Sequence, residues 1–180
     1  MTTKIELRIH FRVLRRQVAE SARGKEAASN AFDYLTPAAK NFSNVLSFAS
    51  FGSELNLWVL NRSLAQEKRL LLPKITPSGL SIYFVKNLEQ DLLVHPRFSI
   101  LEPKNNCLEI GFDLIDCVLV PALAFDSNNH RLGYGKAYYD RLLKLLPKAV
   151  KLGIGFTEQR HTSLLPVEPH DERVDEVLLF

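Results

Sequence analysis

Cysteine is scarce in this chain. Cys107 and Cys117 are the only two in 180 residues, and they stand ten positions apart with no CxxC and no histidine at ligand spacing. A zinc ribbon and a dithiol redox pair are therefore excluded, and two free thiols in a reducing cytosol are expected. The five histidines, His10, His95, His130, His161 and His170, show no metal-ligand spacing, and His170 beside Asp171 makes no triad without a placed nucleophile. No uninterrupted apolar run is long enough to cross a bilayer, and the N-terminus alternates charged and apolar residues instead of presenting a signal core. Charge of one sign is also lacking: 23 Lys and Arg face 20 Asp and Glu, for a net +3 and a pI near 8.9. That mild excess suits an enzyme handling small anions better than a dedicated nucleic-acid surface. Repeats, low-complexity tracts and convincing linkers are missing too. What remains is a chain with 46% hydrophobic residues, enough for one buried domain over 1–180 and short for two. The expectation is a soluble, cytoplasmic, monomeric protein with neither membrane nor nucleic-acid partner.

The apolar pattern supplies the elements. Leu7, Phe11, Leu14 and Val18 recur at helical spacing, and Lys4, Arg8, Arg12 and Arg15 make a basic stripe on the same helix. Such stripes are mostly solvated surface, and Arg12, Arg15 and Arg16 are given that reading. A second helix is predicted from about Lys25 to Leu35, ending before Pro37. Val45 to Ala49 reads as a strand, Leu55 to Gln66 as a helix, and Arg69 to Leu72 as a short strand closed by Pro73. A strand at Leu80 to Val85 precedes an irregular stretch to Gly111. Strands at Val118 to Val120, Lys151 to Phe156 and Val174 to Leu179 follow. Strands alternating with helices argue for an α/β three-layer domain with a mostly parallel sheet, whose ligands gather at the carboxyl ends of its strands.

The stretch VPALAFDSNNHRLGYGKAYYDR carries the most chemistry. A buried strand stopped by Pro121 leads into turn formers from Asp126 to Asn129, then into a glycine-spaced basic loop and a helix from Tyr138 to Leu146. Gly133 and Gly135 can take positive φ and let backbone N–H groups approach an anion, while Arg131 and Lys136 flank them with positive charge. A Walker loop would need Ser or Thr after Lys136, where Ala137 stands. A dinucleotide fingerprint would need a third glycine where Tyr138 stands. On these residues alone, a tight strand-to-helix turn with incidental cations stands ahead of a phosphate cradle.

Resemblance reverses that order. RLGYGKAYYDR, with PALAFD before it and VDEVL near the C-terminus, resembles the signature of the 5-formyltetrahydrofolate cyclo-ligase family. KIELR, SFGSELNL, LLLPKI and LPVEPHDERVDEVL follow the family in order and spacing, so the likeness spans nearly the whole chain. Two departures stand out, since the family usually has glycine where Ala122 and Ala137 lie. The resemblance implies a fold of the kind also described for sugar-phosphate isomerases and coenzyme A transferases. It implies ATP-dependent cyclisation of 5-formyltetrahydrofolate to 5,10-methenyltetrahydrofolate, with release of ADP and phosphate.

The family's roles pass to matching positions. Lys4 and Arg8 match its N-terminal ATP pair, four residues apart and so on adjacent helical turns. With Arg131 and Lys136 they are the candidates for neutralising charge during phosphoryl transfer. The loop Arg131, Leu132, Gly133, Tyr134, Gly135, Lys136, Ala137, Tyr138 and Tyr139 would hold the nucleotide. Its Tyr134, Gly135, Lys136, Ala137 and Tyr138 would also touch folate, with Tyr134 and Tyr138 stacking on a planar ring. Glu54 matches an acid placed at the folate, where a carboxylate accepts hydrogen bonds from a pterin's amino and ring N–H groups. Ala49 aligns with a second substrate contact and could only pack. Asp140 and Asp175 match the family's magnesium ligands. Two rivals stay open: a relative that uses ATP to activate a different amide or carboxylate, and a noncatalytic nucleotide- or RNA-binding module using the basic stripe, whose binding should fall steeply with salt.

Overall fold

The computed structural model describes residues 3–77, 79–96 and 99–180. Helix α1 (Lys4–Ala19) starts at a capping box in which Thr3 Oγ1 accepts from the Glu6 N–H and the Glu6 carboxylate accepts from the Thr3 N–H. Then come α2 (Ala22–Ala39), β1 (Val45–Leu46), α3 (Trp58–Gln66), β2 (Leu70–Thr76), β3 (Gly79–Phe84) and the single turn α4 (Leu88–Asp91). The strands β4 (Leu92–Val94), β5 (Leu101–Pro103), β6 (Leu108–Glu109), β7 (Cys117–Pro121), β8 (Ala124–Phe125) and β9 (Arg131–Leu132) lead to α5 (Tyr138–Lys144). Strands β10 (Val150–Gly155) and β11 (Glu176–Leu179) close the chain.

Seven strands form the central sheet in the order β11-β10-β7-β1-β2-β3-β6. The run from β11 to β2 is parallel, and β3 and β6 add antiparallel partners at one edge. Alternating side chains divide between the two faces. Val45, Leu70, Leu72, Cys117 and Leu119 pack with Ala27, Ala31 and Leu35 of α2 and Leu60 and Leu64 of α3. Leu46, Leu71, Val118 and Val120 pack with Leu142 and Leu143 of α5. That is the expected three-layer α/β arrangement.

Two prolines behave otherwise than the sequence predicts. Helix α2 starts at Ala22 and runs through Pro37 to Ala39, because a proline in the last turn forfeits one hydrogen bond while buried Leu35 and Ala39 hold the turn on the sheet. Strand β2 likewise continues past Pro73 to Thr76. Ser47 donates to the Leu71 carbonyl, so the odd residues of β2 turn toward β1. Pro73 therefore faces the space beyond the end of β1, where no ladder needs its missing N–H. Strand β1 is also shorter than predicted, and α3 starts at Trp58 instead of Leu55. The stretch before Gly111 contains the antiparallel pair β4–β5.

Strand order reverses between β1 and β7, which are parallel neighbours leading to opposite sides of the sheet. Their carboxyl ends frame the crevice where open α/β sheets bind ligands. The segment from Ser47 to Glu54 leaves β1 there, and the hairpin β8–β9 with its glycine loop leaves β7 there.

Candidate functional site

Helix α1 crosses these carboxyl ends and brings its basic stripe to the loop. Arg8 Nε donates to the Gly133 carbonyl at 3.0 Å. The Arg8 guanidinium also lies on Gly135, where a Cβ would come within 3.3 Å of its central carbon. Gly135 has φ +90°, a conformation side chains rarely adopt, so this position requires glycine. Gly133 has no positive φ and open space where a Cβ would stand, so the first glycine is not demanded by its own geometry. From Gly133 to Ala137 the backbone N–H groups have no acceptor among the described residues. Lys136 is exposed, and its ammonium makes no ion pair among the described residues. The loop can thus offer N–H groups and a mobile cation to an anion.

The other two candidate cations are already engaged. Lys4 Nζ lies 2.6 Å from Asp171 and 3.4 Å from Glu168. His170 adds a third potential ligand to this acidic group, whose donor atoms lie within 4.8 Å of one another. The Lys4 ammonium itself is the cation these acids hold. Burial works to raise the Asp171 carboxyl, but the bonds from Lys4 and the Glu168 N–H and the positive charge beside it prevail and hold it below the usual range. Arg131 is turned inward, its guanidinium bonded to Asp140 at 2.6 Å and to the Glu172 carbonyl. It braces the loop and Asp140 together.

Asp140 Oδ1 accepts from Arg131 and from the Glu172 N–H at 3.2 Å, and Asp175 Oδ2 accepts from the Lys151 N–H at 2.8 Å. The two acids belong to different elements, but the stretch 172–175 touches the first and carries the second. Each keeps one carboxylate oxygen without a partner among the described residues. A carboxylate suits magnesium, which takes one or two such ligands and keeps several waters, but the contacts of Asp175 lie at Lys151 and Cys117, the starts of β10 and β7, and do not join it to Asp140.

Glu54 closes a tight turn in which its Oε2 accepts from the Phe51 N–H at 3.0 Å and Gly52 takes φ +58°. Burial pushes this carboxyl upward, and the Arg15 charge and the Phe51 N–H oppose the rise. Its charge is felt by Tyr134 and by Tyr139, whose hydroxyls are both pushed up, chiefly by burial. Arg131 acts on Tyr139 in the opposite direction. The acid from the β1 turn, the loop and the start of α5 therefore share one electrostatic neighbourhood. Ala49 is buried beside this turn and offers only packing. Leu132 is buried and contributes its backbone.

The tyrosines differ from a simple stacking surface. Tyr134 has the guanidinium carbons of Arg12 and Arg15 at 5.5 and 5.2 Å from its ring centre, and Arg141 stands 5.2 Å from the Tyr138 ring. Tyr139 packs against the core under α5. Arg15, which its charge places in solvent, is instead buried at 3% exposure. The pattern held the signal: positions 7, 11, 15 and 18 share the apolar face of α1, and an arginine at one of them must be inside. Asp171 and Glu168 had no such mark, since their partner Lys4 lies at the other end of the chain.

Comparison with known proteins follows the same lines. The family model described as the 5-formyltetrahydrofolate cyclo-ligase family matches residues 1–179. The 5-formyltetrahydrofolate cyclo-ligase of Escherichia coli K12 is 31% identical over 152 residues, covering 82% of each chain. That of Mycoplasma genitalium is 47% identical over 60 residues, a match spanning 33% of this chain and 35% of the relative. Among solved structures, 5,10-methenyltetrahydrofolate synthetase of Aquifex aeolicus superposes with a TM-score of 0.80 at 32% identity, covering 97% of this chain and 88% of its own. Among the described residues no helix is long and apolar enough to cross a membrane. With the family model spanning residues 1–179, the chain belongs to the 5-formyltetrahydrofolate cyclo-ligase family of ligases.

Proposed function

We propose that this protein closes the ring of 5-formyltetrahydrofolate to 5,10-methenyltetrahydrofolate, consuming ATP and releasing ADP and phosphate. The observation that carries the reading is the convergence of Glu54 and the glycine loop at the carboxyl ends of neighbouring strands β1 and β7. The formyl group is amide-like and its oxygen leaves poorly. Transfer of the γ-phosphoryl group to that oxygen makes it a leaving group, and the neighbouring folate nitrogen then displaces it as phosphate. No protein nucleophile is needed, so the residues act by placement and charge.

On this reading Arg8, Lys136 and the free N–H groups of the loop receive the phosphates. Lys4 joins them by exchanging Asp171 for a phosphate oxygen. Arg131 steadies the loop through Asp140. Glu54 accepts from the pterin and orients it, with Ala49, Tyr134 and Tyr138 along the walls. Asp140 would hold magnesium, which when bound supplies charge neutralisation for the polyphosphate. The reading also places the protein in the cytoplasm as a monomer acting on small molecules.

The test is an assay of purified protein with 5-formyltetrahydrofolate, ATP and magnesium, following methenyl product by near-ultraviolet absorbance and ADP in the same tube. Both products should appear one for one, and neither without magnesium. ADP alone would point to a different acceptor. Neither product from a folded sample would move the weight to a noncatalytic binding module.

A further inference from the structure

Arg15 is the one buried arginine of α1, and among the described residues its guanidinium meets no acid within ion-pair distance. Its Nε donates to Ser53 Oγ at 3.1 Å, one terminal nitrogen to the Ala122 carbonyl at 2.8 Å and the other to the Tyr134 hydroxyl. These three acceptors lie on three segments: the turn that ends in Glu54, the exit of β7, and the glycine loop. Burying a guanidinium against neutral acceptors is costly, because its charge gives up water without gaining a counterion. The backbone does not require that cost. Gln159 Nε2 also donates to the Ala122 carbonyl at 2.8 Å, so this acceptor is satisfied without Arg15. What only Arg15 supplies is a positive charge beside Glu54 and a fixed Tyr134 hydroxyl.

We propose that Arg15 is a positioning residue of the folate half of the site, holding Tyr134 against the Glu54 turn and keeping the Glu54 carboxylate in its accepting, ionised form. The inference rests on the cyclo-ligase reading and adds to it a residue that touches neither substrate. The groups facing Glu54 are Arg15 from α1, the Phe51 N–H from its own turn, Tyr134 from the loop and Tyr139 from α5. Arg15 alone among them carries a positive charge. Without it, Glu54 keeps its proton to higher pH and loses the second acceptor oxygen that an ionised carboxylate offers to the pterin N–H groups.

The experiment compares wild type with Arg15→Gln, Arg15→Lys and Tyr134→Phe, measuring KM for 5-formyltetrahydrofolate and for ATP across pH. Arg15→Gln should raise the folate KM about tenfold, the worth of one charge-assisted contact, and leave the ATP KM within about twofold. It should also move the acid limb of the folate kcat/KM profile to higher pH. Arg15→Lys keeps the charge and loses the fork, so it should leave that limb in place with a smaller rise in KM. If Arg15→Gln fails to fold, Tyr134→Phe still reads the bridge: the folate KM should rise while the ATP KM stays. Equal rises in both constants, or an unmoved acid limb with an unchanged folate KM, would make Arg15 merely structural. A wild type that converts no 5-formyltetrahydrofolate would sink the cyclo-ligase reading and this inference with it, whereas an active wild type with insensitive variants sinks the inference alone.

Discussion

Glu54 shows how function and stability oppose each other at a single residue. Burial raises its carboxyl pKa, and Arg15 with the Phe51 N–H only partly offsets this. A carboxyl whose folded pKa lies above its unfolded value binds its proton more tightly in the folded state. The raised value therefore costs stability at neutral pH, where the unfolded carboxyl is ionised, and the cost disappears as pH falls toward the unfolded value, about 4.3. Glu54→Gln should make the protein more resistant to urea at pH 7, with the advantage shrinking to nothing near pH 4, while the folate KM rises. Parallel stability curves for the two proteins across that range would show that Glu54 is not held against its preference. Asp126 has the opposite sign. It is fully buried, and although burial raises it, the N–H groups of Leu165, His130 and Asn128 and the nearby His130 pull it lower. Its stabilising contribution is present above the ordinary aspartate range and is lost as pH falls through the depressed value.

At the scale of elements, α5 begins on an uncomfortable residue. Ala137 is its N-cap at φ +51° and ψ +23°, the left-handed region, where a Cβ costs roughly 1–2 kcal/mol. Glycine there removes the clash but adds freedom to the unfolded chain, worth about 0.4–1 kcal/mol in the other direction. Ala137→Gly should thus stabilise by up to about 1.5 kcal/mol in urea unfolding, with activity equal or raised. A clear loss of stability would mean that the loop leaves this conformation in solution. The same loop shows what a sequence discloses. Its glycines, cations and flanking strand and helix were readable because each is a local pattern, as were the short apolar runs of β2 and β7. Pro37 and Pro73 misled because a proline's cost depends on what lies opposite its missing N–H, which for β2 is the end of β1. Arg15 was hidden behind its charge, although its position on the apolar face of α1 was visible. The Lys4–Asp171 pair joins residues 167 positions apart, and no local pattern encodes that meeting.

For the whole molecule, an interior strand carries a reporter of unfolding. Cys117 lies in β7 between β1 and β10 and is 1% exposed. Burial first, and then the charges of Asp116 and Asp175, push its thiol up to about 12. Only the thiolate attacks a disulfide reagent, so native Cys117 should be inert at pH 8 by both access and ionisation. Cys107 directly precedes β6, the edge strand of the sheet, and is only half-buried, so local opening at that edge should suffice to expose it. Labelling with an aromatic disulfide should therefore show one slow native reaction at Cys107 and a far slower one at Cys117 that tracks global unfolding. The proposed ligands bind segments hanging from β1, β7 and α1, so they stabilise the assembled sheet. At free ligand about 100 times Kd that stabilisation is about 2.7 kcal/mol, a factor of about 100 in the unfolded population. ATP with magnesium, or 5-formyltetrahydrofolate without ATP, should slow Cys117 labelling accordingly and leave Cys107 nearly unchanged. Equal labelling rates without ligand, or equal slowing with it, would mean that the β6 edge and the interior of the sheet open as one unit.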